Sequence, residues 1–115
     1  MEKFMYLFRN QGNPMAGLSE SEASEHMQKW GAWMGDLANR GLLIGGEPLY
    51  TEGKQVNGKS KIITDGPFIE AKEVVGGYLI VNANTLDDAV ELSKDCPIFE
   101  RDGKVEVRQI QKMEF

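Results

Sequence analysis

Along the chain the apolar positions alternate between the short period of strands and the longer period of helices, and each change of period marks an element. Residues 2–9, EKFMYLFR, alternate, with Phe4, Tyr6 and Phe8 on one side and Met5 and Leu7 on the other. Both sides are apolar, which predicts a central strand. QGNPMAG reads as a loop. SESE then opens a helix, with Ser19 as N-cap and Glu22 as its capping-box partner. The predicted inner stripe of that helix is Ala23, Met27, Trp30, Met34 and Leu37. Gly41 is expected to end it in a left-handed turn. LLIGGEPLY, residues 42–50, reads as a strand interrupted by Gly45, Gly46 and Pro48, where glycine often marks a bulge and proline excludes a fully paired central position. Asn57-Gly58, between KQV and KSKIIT, signals a hairpin. VVGGYLIVN, residues 74–82, is the clearest strand. Thr85 is expected to cap a second helix, with Leu86, Ala89, Val90 and Ser93 on its inner face and Cys96-Pro97 as its stop. VEVRQIQKM closes the pattern, Val105 and Val107 alternating with Glu106 and Arg108.

The order is strand, helix, strand, hairpin, strand, helix, strand. That is the βαββαβ order of the α+β ferredoxin-like class, with an inserted β-hairpin. Two helices cover one face of a four-stranded antiparallel sheet in such a fold. The strands here are apolar on both faces, so a second copy is expected to cover the other, as a homodimer with facing sheets.

Size and composition narrow the picture. A chain of 115 residues, 41% hydrophobic and 27% charged, fits one domain over residues 1–115. A net charge of −5, with scattered Lys and Arg, argues against nucleic acid and against an anionic membrane surface. The single cysteine, Cys96, excludes an internal disulfide and fits a reducing compartment. No apolar run resembles a signal peptide or a membrane span, so a cytoplasmic protein is expected. One histidine and one distant cysteine form no metal-ligand spacing, and neither a metal nor a cofactor is expected.

TDGPFIEAKEVVGGYLIV, residues 64–81, the following helix with CPI, and the closing VEVRQI resemble the YCII-related family in its DGPF-type subgroup. MYLFR, the helix with Trp30 and Trp33, and LLIGGEPL also match that pattern, so the resemblance covers nearly the whole chain. It implies a ferredoxin-like fold that dimerises into an α+β barrel, with a cleft near the dimer interface. It also implies a regulatory alternative, because DGPF-type relatives often lie beside genes for extracytoplasmic-function sigma factors. Some YCII proteins carry a His-Asp pair linked to catalysis. Counting back from Gly45 and Gly46, that histidine would fall near Lys29, whereas the histidine here is His26, about one turn earlier.

The candidate chemistry divides between two regions. Asp65-Gly66-Pro67 is a turn in which Asp65 either bonds its own backbone or holds a carboxylate at a cleft rim as a catalytic group. Phe68 is a loop anchor or a pocket wall. Glu73 leads into a strand that reads as buried, where a carboxylate would ionise less readily. Gly76-Gly77 requires a bulge or a close approach. Tyr78 packs in the core or offers its hydroxyl to a site. On the first helix, His26, Trp33 and Arg40 stack in line, with Lys29 and Asp36 nearby. That strip reads as a surface or dimer-edge face. Alternatively, His26 serves as an acid or base and Trp33 as a stacking wall. Cys96 reads as a buried helix-end residue rather than a nucleophile. The expected function is a small-molecule enzyme or binding protein with a pocket lined by Asp65, Phe68, Glu73, Tyr78, Trp33 and His26. The alternative is a regulatory domain with a protein partner.

Overall fold

The structure, a computed structural model, describes residues 1–10, 15–65 and 74–113. Among these residues six strands and two α-helices run in the order β1 (Glu2–Asn10), α1 (Glu20–Asn39), β2 (Leu43–Pro48), β3 (Lys54–Asn57), β4 (Ile62–Asp65), β5 (Val74–Ala83), α2 (Leu86–Ser93) and β6 (Lys104–Gln109). A 3-10 helix, Pro97–Arg101, links α2 to β6. The main sheet is antiparallel, in the order β2-β5-β1-β6. The architecture is thus mixed α+β, with the doubly apolar β1 and β5 at the centre, as their patterns require.

Both α-helices cover one face of this sheet. On that face Phe4 stands opposite Val81, Tyr6 opposite Leu79 and Phe8 opposite Gly77. Trp33 and Leu37 of α1, Ala89 of α2, and Cys96 and Ile98 beyond it complete the core. Each fully buried large apolar side chain contributes about 1.5–3 kcal/mol. Tyr6 joins the layers: its ring stacks on Trp33 at 6.0 Å, and its hydroxyl donates to the Ala89 carbonyl at 2.5 Å.

The helix ends follow the local code. Ser19 Oγ accepts from the Glu22 amide, and Glu22 Oε1 accepts from the Ser19 amide. At the other end the Gly41 amide donates to Ala38 and the Leu42 amide to Leu37, a Schellman turn with Gly41 at φ +72°. Thr85 Oγ1 accepts from the Asp88 amide at the start of α2.

The face that α1 buries differs from the hydropathy stripe. Its buried residues are His26, Trp33 and Leu37, with Trp30 and Met34 packed beside them, whereas Met27 is 56% exposed. His26 and Trp33 therefore leave the surface strip in which they were expected. The cause is that both indoles find acceptors inside: Trp33 Nε1–H donates to Leu92 O, and Trp30 Nε1–H to His26 Nε2, each at 3.1 Å. A satisfied indole or imidazole is buried at little cost. Arg40 does stay outside, paired with Asp36 at 3.3 Å. On α2, Ala89 and Ser93 are buried as expected, but Leu86 is exposed.

The strand glycines have separate reasons. Phe8 pairs with Gly77 and Arg9 with Val75, so Gly76 is the extra residue of a bulge. A Cβ on Gly77 would lie 2.9 Å from Glu47 O, and one on Gly46 would lie 2.3 Å from Tyr78 O. Those two glycines let the edge strand β2 close on β5. A second bulge places Ile44 between the paired Leu43 and Gly45.

The opposite face of the sheet carries Met5, Leu7, Tyr78 and Ile80, with Arg9 bonded to Glu106 at 3.0 Å. β3 and β4 form a separate two-stranded sheet, inserted between β2 and β5. The Asn57-Gly58 signal does give a hairpin, through a four-residue turn at Gly58–Lys61 with positive φ at both ends. Among the described elements none packs broadly on it, and Val56, Ile62 and Ile63 are largely exposed. Among the described residues, no helix is long and apolar enough to cross a membrane.

Candidate functional site

Between α1, along His26, Met27, Trp30 and Met34, and the end of the sheet formed by β1, β2 and β5 lies a cavity of about 340 Å³. Gly46 and Gly77 floor it because they carry no side chain. Phe8, Met15, Trp30, Met34, Leu49 and Ile98 supply most of its apolar wall. This volume falls at the lower end of small-molecule sites. Three of the chain's six methionines, Met15, Met27 and Met34, border it, and their flexible thioethers adapt to a guest's shape.

Among the described residues the polar groups at the cavity are few. His26 is the chain's one histidine, only 6% exposed, and it lines the wall. Its Nε2 accepts the Trp30 indole N–H across one turn of α1. An accepting Nε2 carries no proton, so the neutral ring bears its hydrogen on Nδ1. Nδ1 faces Glu100 Oε2 at 3.5 Å, and Lys29 Nζ holds Glu100 Oε1 at 3.0 Å. Lys29, by hydrogen bond first and charge second, keeps the Glu100 carboxyl below its ordinary range against the opposing effect of desolvation. Contacts with His26 add to the lowering. The result is a row, Lys29–Glu100–His26–Trp30, that fixes one imidazole tautomer at the edge of an apolar space. Arg101, bonded to Ala16 O at 2.8 Å, borders the same cavity. Asn10 also borders it, and its Oδ1 is buried without a hydrogen-bond partner among the described residues. Among the described residues no cluster of His, Cys, Asp and Glu has the form of a metal site.

The sequence candidates separate on this geometry. His26 lies in the cavity wall. Tyr78 borders the cavity, but strand alternation puts its side chain on the face opposite Leu79, across from Leu7. Trp33 is in the core and does not line the cavity; Trp30 takes the wall position instead. Asp65 ends β4 on the hairpin, 76% exposed at its side chain and paired with Lys54 at 2.7 Å, away from the cavity. Phe68 and Glu73 lie outside the described residues. Cys96 is buried at the start of the 3-10 helix, its thiol pushed by burial up to about 12, which suits packing rather than nucleophilic attack.

Sequence reasoning missed Trp30, Met34, Ile98 and Glu100 as site residues. The i,i+4 spacing of His26 and Trp30 was a readable signal. The Lys29–Glu100 bond joins residues 71 positions apart, and no local pattern announces it.

The YCII-related domain family matches residues 3–114 of the chain. No curated protein matches it significantly.

Proposed function

The chain belongs to the YCII-related domain family, and on that premise we propose that it is a small-molecule enzyme or binding protein. His26 is its acid–base group, and each subunit of a homodimer holds one cavity. The observation that carries the reading is the buried, tautomer-fixed histidine in the wall of an apolar cavity. A rigid acid–base group beside an apolar enclosure is the arrangement that small-molecule sites share. The strand order β2-β5-β1-β6, with both helices on one face, supports the ferredoxin-like assignment. The open apolar face of Met5, Leu7, Tyr78 and Ile80 supports the facing-sheet dimer. The TDGPF segment supports the DGPF-type subgroup, and the single buried Cys96 fits a cytoplasmic setting.

A regulatory domain acting with a protein partner, in sigma-factor signalling, is the competing reading. The projecting hairpin with exposed Val56, Ile62 and Ile63 favours it. The cavity weighs against it, because a pure interaction domain has no need of an internal enclosure.

Native mass spectrometry under gentle, then denaturing, conditions tests the proposal. The expected result is a dimer carrying a releasable small molecule that Met34→Trp, which fills the cavity, excludes. An adduct insensitive to Met34→Trp would put binding elsewhere. A monomer at micromolar concentration would undo the facing-sheet assembly.

A further inference from the structure

The His26–Trp30 bond is possible in only one protonation state. Trp30 Nε1–H is a donor and never an acceptor, so Nε2 at 3.1 Å must be bare. Protonating Nε2 sets two donors against each other and breaks the bond. What restores the pair is an acceptor between them. Two nitrogens 3.1 Å apart can both reach a single oxygen at about 2.8–3.0 Å from each, an ordinary hydrogen-bond length. Such an oxygen is best when negatively charged, because both bonds then become charge-assisted.

We propose that the cavity takes a small apolar acid, bound as its anion between Nε2–H of a protonated His26 and Nε1–H of Trp30, with Glu100 as the positioning residue on Nδ1. This rests on the cavity reading given above and names the class of ligand for it. The proton balance is simple. An acid that arrives neutral gives its proton to Nε2: an O–H bond breaks, an N–H bond forms, and nothing is oxidised or reduced. An acid that arrives ionised draws one proton from solvent to the same nitrogen.

The surroundings fit an anion at that point. The charged groups that join the His26 row or border the cavity are Lys29 of α1, Glu100 and Arg101 of the 3-10 helix, and Glu47 of β2, while α1 also carries Glu20, Glu22, Glu25 and Asp36 outside the cavity lining. Glu100 is turned to Nδ1 and neutralised by Lys29, which leaves the Nε2 side to the ligand. At the cavity border Arg101 and Glu47 balance each other in formal charge. From β1 only Phe8 and Asn10 reach the cavity, and neither titrates. The body of the ligand meets Phe8, Trp30, Met34, Leu49 and Ile98. A volume of about 340 Å³ lies at the lower end of small-molecule sites, the range of a compact aromatic acid.

Phenylacetate and its uncharged near-isostere phenylacetamide are probes of that size. Binding is followed at neutral pH by tryptophan fluorescence and by the 15N signals of the single imidazole, with calorimetry in two buffers counting protons. Phenylacetate should bind at least about tenfold tighter than the amide, with uptake of about one proton and both imidazole nitrogens protonated in the complex. Glu100→Gln should cut the acid-over-amide preference to about twofold or less, and Trp30→Phe should weaken the acid roughly tenfold while the proton uptake persists. The dispersion of the amide NMR spectrum confirms that each variant is folded. Equal affinity for the two probes, or acid binding without proton uptake, overturns the acid assignment and leaves the cavity reading standing. If neither probe perturbs the tryptophan signal, the cavity reading falls, and the acid assignment with it.

Discussion

Tyr6 shows how one polar atom in the core sets a pH limit. Burial, reinforced by the nearby Cys96 thiol, pushes its phenol up to about 12. In an unfolded chain the same group ionises near pH ~10. The folded value is the higher one, so the stabilisation is complete below about pH 10 and is lost as pH climbs toward 12. Two units correspond to about 3 kcal/mol. Cys96, also pushed to about 12, steepens the same alkaline slope. Urea unfolding midpoints measured between about pH 9 and 11 should fall for the natural protein and fall less steeply for Tyr6→Phe; parallel slopes would exclude Tyr6 as a source. At this scale legibility was uneven. His26 stood out as the only histidine, and its ordinary range near neutrality marked it for chemistry. Asp65 stood out for the turn it opens, yet the hairpin carries it to the surface to pair with Lys54. The helical pattern put Trp30 in the core stripe and Trp33 on the flanking strip. Only the third dimension decides which stacks on Tyr6 and which walls the cavity.

Between elements, backbone proximity governs. β2 approaches β5 closely enough that a Cβ on Gly46 would fall 2.4 Å from Leu79 Cδ2, whereas a Cβ on neighbouring Gly45 meets nothing within 4 Å. Gly46→Ala should therefore cost about 1–3 kcal/mol through overpacking, while Gly45→Ala should lie within about 0.5 kcal/mol of the natural protein. Thermal melts of the two alanine variants check this directly, and equal melting temperatures would mean that the edge strand yields. The capping box, the Gly41 turn, the edge strand with its bulge and the hairpin were all legible, because neighbouring residues fix each of them. The rotation of α1 was not. Hydropathy ranks Met27 above His26, and only the contacts of His26 with Trp30 and Glu100 reverse that order.

At the scale of the molecule the shape is a slab of 48 × 45 × 19 Å, and among the described residues no helix covers the sheet face of Met5, Leu7, Tyr78 and Ile80. If a second copy covers that face, Ile80→Lys should convert a dimer into a monomer in sedimentation without unfolding it, since Ile80 points away from the helices. A dimer that survives Ile80→Lys would place the contact elsewhere. The hairpin is a second appendage to test. Brief trypsin treatment should cut first after Lys59 or Lys61, in the exposed turn, and leave the four-stranded sheet associated. An initial cut within α1 or β5 would mean that the hairpin is held more firmly than its exposure implies. The strand order also has a consequence in time. Among the described strands β1 pairs with β5 and β6, both of which leave the ribosome long after it. At ~5–20 residues per second, the run FMYLF waits about 4–15 s for its first neighbour. Until β5 emerges, a nascent chain of this design presents an apolar strand without its sheet partner, and its yield in the cell depends on what shields that segment during the wait.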